Sequence, residues 1–250
     1  MTDTYDAIIV GGGHNGLVCS ALLAKAGKSV LVLEANAQVG GAAITREFAD
    51  GYSVSACAHL LYQLQPVVQK ELGLKPRLAS DNLGTIALAE DGQHVRLKAN
   101  SVDGVSDEDA KEYRDFRKRM TRFADLLTTY LNKPPPRLGT KKAADLMTLA
   151  QLGFDIRRLG KHEMREFLRL IGMNIYDEVT ERFSSGLLKG AISLDAVLGT
   201  HLGPRSPNTI LTYLYRQAGG HGKVATAAGG AGALSDDLAR RRRNGKWRAL

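Results

Sequence analysis

Apolar residues run without a break over Ala7-Ile8-Ile9-Val10, stop at three glycines, and resume with helical spacing from Asn15 to about Ala26. A second apolar run, Ser29-Val30-Leu31-Val32-Leu33, ends on Glu34. Short apolar runs bounded by glycine predict buried strands, and the amphipathic stretch between them predicts a crossover helix, so the chain opens on a βαβ unit. Further on, Pro66 opens a short helix through Leu72, and Thr85–Ala89 with His94–Leu97 predicts a hairpin around Asp91-Gly92. Ser106-Asp107-Glu108-Asp109 caps a long helix in which Tyr113, Phe116, Met120, Phe123, Leu127 and Tyr130 recur three and four residues apart. That stripe predicts burial against neighbouring helices, with a hydrophobic channel as the alternative. Pro134-Pro135-Pro136 ends the helix. From Thr140 to about Ala218 the pattern is almost wholly helical, with breaks expected near Gly153, Gly160, Ser184-Ser185-Gly186 and Gly203-Pro204. After Gly229-Gly230-Ala231-Gly232 a last helix is predicted from Ala233 to about Arg243.

The glycines of the first turn follow the spacing G-x-G-x-x-G between strand and helix, the dinucleotide-binding fingerprint. Gly11 permits the tight turn, Gly13 removes the Cβ that would hold a pyrophosphate off the backbone, and Gly16 lets helix and strand pack closely. The helix then aims unpaired N–H groups and its positive end at the phosphates, through the backbone of His14, Asn15 and Gly16. Glu34 stands where a carboxylate accepts both hydroxyl protons of an adenosine ribose, a placement that repels a 2′-phosphate and makes NADP the least favoured ligand.

Past the acid, Ala35 to Val39 lead into Gly40-Gly41-Ala42-Ala43-Ile44-Thr45, a second stretch of backbone without bulky side chains. Such a stretch can lie against an extended ligand beyond its adenosine half. FAD has a second pyrophosphate face and a ribityl chain to cover there, whereas a nicotinamide dehydrogenase has no evident need for the pair; a plain Gly-Gly loop is the other reading. The candidate cofactor-binding residues are therefore Gly11, Gly13, His14, Asn15, Gly16, Glu34, Ala35, Gly40, Gly41, Ala42 and Thr45.

The fingerprint, Glu34 and Gly-Gly-Ala-Ala-x-Thr together resemble the flavin-dependent amine oxidase superfamily, in particular its phytoene desaturase and carotenoid isomerase-like branch. Leu187–Ala191 through Gly203-Pro204-Arg205-Ser206-Pro207, and Gly229–Asp236, look similar to that group as well. The resemblance implies an α/β fold: an incomplete Rossmann-like FAD-binding domain with an inserted, mainly helical substrate domain. The expected division is 1–100 for the flavin domain with its hairpin, 101–218 for the helical domain and 219–250 for a return segment. It further implies hydride removal, desaturation or isomerisation of an apolar small-molecule substrate, with amine oxidation also within the superfamily. The electron acceptor is left unknown.

No acid, base or nucleophile announces itself in the helical region, so no catalytic residue is assigned. That fits flavin chemistry, in which the cofactor carries the difficult step and the protein supplies alignment and an apolar pocket. At 44% hydrophobic residues the chain can bury a sizeable core. Asp3 and Asp6 stand where a signal peptide would be basic, and no apolar run reaches the roughly 18 residues of a membrane span, so a cytoplasmic protein is expected. Cys19 and Cys57 cannot form a C-x-x-C pair; Cys19 is expected to be packed on the first helix, and Cys57 is given a structural role. The six histidines show no metal-ligand spacing, so no metal is expected.

Charge is uneven: residues 1–100 hold 8 Lys+Arg against 9 Asp+Glu, and residues 101–250 hold 26 against 17. The cations are interleaved with acids and lack an aromatic stacking platform, which argues against nucleic acid. A solvated helical face is expected, with weak affinity for anionic membrane surfaces as the remaining option. After the last helix only Asn244 to Leu250 follow, and Lys246–Leu250 does not read as a further apolar strand. The chain is thus expected to be a truncated form of a longer enzyme, with an open sheet edge and an incomplete cofactor site. Three classes remain: an FAD-dependent oxidoreductase, an NAD-dependent dehydrogenase, and a non-catalytic dinucleotide-binding or interaction protein.

Overall fold

The two apolar runs pair in parallel. Strand β1 (Ala7–Val10) aligns with β2 (Val30–Glu34) in the register Ala7↔Val30 to Val10↔Leu33, and α1 (His14–Lys25) makes the crossover. The computed structural model describes residues 4–220, 224–240 and 248–249. Within them the chain forms two units, 1–83 with 224–250 and 84–223. In the first unit α1 buries Leu17, Ser20 and Ala21, while Val30 and Val32 of β2 are fully buried. The alternate residues of β1 point the other way: Ile8 is 60% and Val10 84% exposed, although parallel sheets are ordinarily covered on both faces.

A hairpin of β3 (Thr45–Ala49) and β4 (Tyr52–Ser55) follows, then α2 (Pro66–Leu72), which Pro66 starts and a left-handed Gly73 stops, and β5 (Leu78–Ser80).

The second unit starts with an antiparallel sheet, β6 (Thr85–Ala87), β7 (Val95–Leu97) and β8 (Val102–Asp103). Here the structure moves the expected boundary. The 85–97 hairpin belongs to the helical unit, because Val95, Leu97 and Val102 face the same core as Phe116 and Leu188; the breaks fall at 83/84 and 223/224 rather than 100/101 and 218/219. Helix α3 (Asp107–Leu131) starts where Ser106 Oγ accepts from Asp109 N at 3.2 Å. Its stripe is core: Tyr113, Phe116, Met120 and Phe123 are buried, with Phe116 edge-on to Phe183 at 5.7 Å and Phe123 edge-on to Phe167 at 5.3 Å. Each such ring pair contributes about 1 kcal/mol beyond the area it buries.

The remaining helices are α4 (Ala143–Arg158), α5 (Lys161–Leu170), α6 (Ile175–Arg182), α7 (Gly186–Val197) and α8 (Thr209–Gly220). Gly153 does not break α4, since its backbone is helical and nothing crowds it. An unexpected break lies at Asn174, whose side chain accepts from Asp177 N at 2.9 Å and caps α6.

Asp109 has a second role that the capping pattern conceals. Its buried carboxylate accepts from Ser184 N at 2.9 Å, Ser184 Oγ at 2.9 Å and Ser185 N at 2.8 Å, tying the start of α3 to the start of α7. Burial pushes this pKa up, but the Ser184 and Ser185 donors outweigh it and hold the group below the usual carboxylate value. Asp109→Ala should cost this unit about 2 kcal/mol at neutral pH. A carboxylate with a depressed folded pKa stabilises fully above its unfolded pKa and loses that contribution as pH falls through the folded one. Denaturant melts of parent and variant should therefore differ at neutral pH and converge in acid; a constant gap would remove the ionised carboxylate from the account.

The chain then returns to the first unit through β9 (Thr226–Ala227), antiparallel to β5, and α9 (Ala231–Arg240). The expected end of that helix, at about Arg243, lies outside the described residues. A two-residue β10 (Arg248–Ala249) pairs in parallel with Leu33 and Glu34 of β2. Strand order is β1-β2-β10, so among the described residues no strand covers the outer edge of β1. Cys19 is exposed, another correction: α1 turns Leu17, Ser20 and Ala21 inward, and residue 19 falls on the opposite side. Cys57 is exposed too. Among the described residues no helix is long and apolar enough to cross a membrane.

Candidate dinucleotide site

Between β1 and α1 the backbone turns with Gly11 at φ +99°, a left-handed conformation that side chains rarely adopt; a Cβ there would meet nothing within 4 Å, so the constraint is conformational. Gly16 is constrained by space. A Cβ on it would lie 2.2 Å from the Gly11 carbonyl oxygen and 3.3 Å from Ile9 Cγ2. Gly13 is different again. Its φ of −65° suits any residue, and the nearest atom to a Cβ would be Gly41 Cα at 4.0 Å, so the protein itself leaves that space open.

Gly13 caps α1 without a side-chain hydrogen bond, and the helical ladder begins with Leu17 N donating to Gly13 O at 2.9 Å. The amides of His14, Asn15 and Gly16 therefore face outward from the helix end, where its dipole is positive. His14 and Asn15 are both exposed.

Glu34 is the last residue of β2 and is buried. Its Oε2 accepts from Gly12 N at 2.6 Å, and its Oε1 accepts from Asn36 N at 3.0 Å and Asn36 Nδ2 at 2.8 Å. A carboxylate has about four lone-pair sites, and these three donors, with a further backbone contact from Ala35, take up most of them. A ribose hydroxyl reaching Glu34 would therefore compete with donors that the protein itself supplies. The Asn36 and Gly12 donors hold the pKa of Glu34 below the usual range, so the group is ionised at neutral pH.

Neither Gly12 nor Asn36 was among the expected site residues. The only signal for Gly12 is that the x of the first G-x-G is itself glycine. A Cβ there would approach Val39 Cγ1 to 3.0 Å and Glu34 Oε2 to 3.2 Å.

The Gly40-Gly41 pair closes directly on this turn. Gly40 N donates to Gly12 O at 2.8 Å, Gly13 and Gly40 form a parallel bridge, and a Cβ on Gly41 would sit 3.1 Å from Gly13 Cα. Gly41, Ala42 and Ala35 are exposed beside it. Thr45 is committed elsewhere: its hydroxyl donates to Gly229 O at 2.8 Å and accepts from Gly232 N at 3.1 Å. Ser235 Oγ donates to Ala43 O at 2.7 Å, and Ala231 N donates to Ser55 Oγ at 3.0 Å. Thr45 thus latches the start of α9 onto the 40–45 segment.

Two surface hollows of the second unit involve no residue of the turn: about 460 Å³ along Lys161–Arg169, and about 610 Å³ between Tyr176 and Gly203–Pro207. Among the described residues no group of three or more His, Cys, Asp or Glu side chains is placed to hold a metal.

Comparison with known proteins agrees with this geometry. Residues 9–71 match the family described as NAD(P)-binding Rossmann-like domain. The chain is similar to pyridine nucleotide-disulfide oxidoreductase domain-containing protein 2 of Rattus norvegicus, with 28% identity over 94% of this chain and 45% of the relative. It is also similar to a limonene dehydrogenase component of Castellaniella defragrans, with 29% identity over 59% of this chain and 28% of the relative. The chain spans about half the length (45%) of the curated relatives that match it over most of its own length. Among solved structures it shares its fold with a putrescine oxidase bound to putrescine, at TM-score 0.57 and 20% identity over 97% of this chain and 50% of that one. The cyclohexylamine oxidase of Brevibacterium oxydans is alike at TM-score 0.56 and 18% identity, covering 99% of this chain and 51% of that one. The fold is α/β with a Rossmann-like unit, and it is shared with these two oxidases.

Proposed function

We propose that the chain is the dinucleotide-holding part of an FAD-dependent oxidoreductase, and that the Gly11–Gly16 turn receives the AMP half of the flavin coenzyme. The observation that carries this reading is bare main chain at the open end of α1 beside a single ionised carboxylate at the tip of β2. The residues fit the group. A Cβ on Gly11 would meet nothing within 4 Å and one on Gly13 only Gly41 Cα at 4.0 Å, the amides of His14, Asn15 and Gly16 stand at the open helix end to receive a pyrophosphate, and the Glu34 carboxylate lies beside them to meet the ribose. Gly41 and Ala42 offer exposed backbone beyond the adenosine half, whereas Thr45 acts through the α9 latch rather than on the ligand.

When bound, FAD supplies a hydride acceptor able to oxidise an unreactive carbon. The chain's own contribution is to bind and orient the adenosine end, while the apolar substrate and the phytoene desaturase-like branch are what the family resemblance implies. Amine oxidation stands beside this reading because amine oxidases share the fold.

Purified protein is expected to show a flavin absorbance band after incubation with FAD. Glu34→Ala should weaken retention by about 1–3 kcal/mol, since it removes a charge-assisted acceptor and leaves the buried Gly12 N–H without its partner. Unchanged retention would take Glu34 out of the site. The second reading, an NAD-dependent dehydrogenase, is favoured by the NAD(P)-binding match over 9–71. Tight NAD binding with no uptake of FAD would select it.

A further inference from the structure

Helix α4 shows an apolar face to water. None of its residues is buried, and it packs chiefly against α5. At about 100° per residue, Ala143, Leu146, Met147, Ala150 and Phe154 share one face, and that face is the open one. Leu146, Met147 and Phe154 are 50%, 71% and 61% exposed. The half-buried Leu149, Leu152 and Ile156 lie on the opposite face with both acids of the helix, and Asp155 is occupied there by the Tyr130 hydroxyl at 2.7 Å. A soluble surface helix ordinarily has one apolar face, turned inward, and sets its acids in water; α4 has a second apolar face, and that one is open.

The exposed charges of α4 and its immediate flanks all have one sign. Lys141 and Lys142 precede the first turn, Arg157 and Arg158 end the last, and all four are exposed. The Arg158 guanidinium stands over the Phe154 ring at 5.9 Å, a cation beside an aromatic that dips below it. Just upstream, Leu138 is also solvent-exposed, next to Arg137. The occupant that complements this face must offer hydrocarbon along the whole helix and negative charge at both ends. A bilayer bearing acidic headgroups has that layering, with acyl chains beneath a sheet of phosphates and carboxylates.

We propose that α4 is an interfacial helix that docks the protein on an anionic lipid surface, with Met147 and Phe154 entering the acyl boundary and Lys141, Lys142, Arg157 and Arg158 held at the headgroups. Docking lies flat and spans nothing. It gives the basic surplus of residues 101–250 a specific task, and it is independent of which dinucleotide the first unit binds.

The test is flotation of the full chain with phosphatidylcholine vesicles, with and without phosphatidylserine. The parent should float with the phosphatidylserine vesicles, stay behind with the neutral ones, and be released by high salt, which screens the cations. The double variants Met147→Glu/Phe154→Glu and Lys141→Glu/Lys142→Glu should each lower partitioning at least about tenfold, with thermal melts matching the parent. Should the glutamate pair lower the melt, Met147→Ser/Phe154→Ser replaces it with the same expected loss. A parent that ignores phosphatidylserine vesicles overturns the proposal, as does equal flotation of parent and variants. Conversion of a dimer to a monomer by the Met147/Phe154 variants, with vesicle partitioning unchanged, would assign the face to a second copy instead.

Discussion

Gly16→Ala should disrupt the first unit and abolish dinucleotide binding together. The added Cβ would lie 2.2 Å from the Gly11 carbonyl, which is backbone at the centre of the turn and cannot rotate away as a side chain end can. Relief requires α1 to lift from β1 or the Gly11 peptide to turn, at a cost of about 3 kcal/mol by the measure of overpacked cores. Either movement also displaces Gly12, whose N–H holds Glu34 and whose carbonyl holds Gly40. Segment-resolved hydrogen exchange should show lost protection in α1 and β2, with α3 and α8 unaffected. Gly153→Ala is the matched control. Nothing lies within 4 Å of its Cβ, its backbone is helical, and the change should stabilise by about 0.5–1 kcal/mol through helix propensity. Equal effects of the two substitutions would refute the close approach at Gly16.

Arg182→Ala should cost the second unit about 3 kcal/mol, the range for breaking a buried ion pair. Glu178 is fully buried on α6, where it pairs with Arg182 Nε and with Arg169 Nη2 at 3.1 Å. Arg182 also reaches Glu112 on α3 at 2.7 Å and Glu166 on α5 at 3.5 Å, so one guanidinium fork joins three helices. Without it Glu178 keeps one cation and must be solvated by rearrangement. Lysine at 182 should restore little, because a point charge cannot reproduce three directed contacts. Glu181→Ala, which removes an exposed partner 3.9 Å from Arg169, should change stability by less than about 0.5 kcal/mol. Exchange protection in α6 separates the outcomes, and an Arg182→Ala protein as protected as the parent would refute the network's role.

The βαβ opening was legible because each of its signals is local: strand runs, glycine spacing and an acid at a strand tip lie within 34 residues. The return at Gly229–Gly232 was legible for a related reason. Small residues there are demanded by close backbone, and a Cβ on Gly232 would lie 2.5 Å from Thr45 N. Partnerships across long sequence separations were not legible. Asp109 reads as a first-turn acid, and only the fold brings Ser184 to it, 75 residues on. The Asn36 bonds to Glu34 are local, yet an asparagine after an acid carries no distinctive pattern. Periodicity predicted helices between 140 and 218 but not which side of α4 faces inward, because that depends on which neighbour covers it. Allotting the 85–97 hairpin to the wrong unit has the same origin, since alternation marks a strand without naming the core it joins.

The direct test of the central claim is FAD binding to Gly13→Ala beside the parent, with thermal melts of both. The protein has room for this methyl group, with its nearest atom 4.0 Å away and an ordinary φ of −65°, so stability should hold. A coenzyme lying against the turn has no such room, and affinity should fall at least about tenfold, the effect of holding a pyrophosphate off the backbone. A Gly13→Ala protein that keeps its melting temperature and binds FAD as tightly as the parent would contradict the assignment of this turn to the flavin coenzyme.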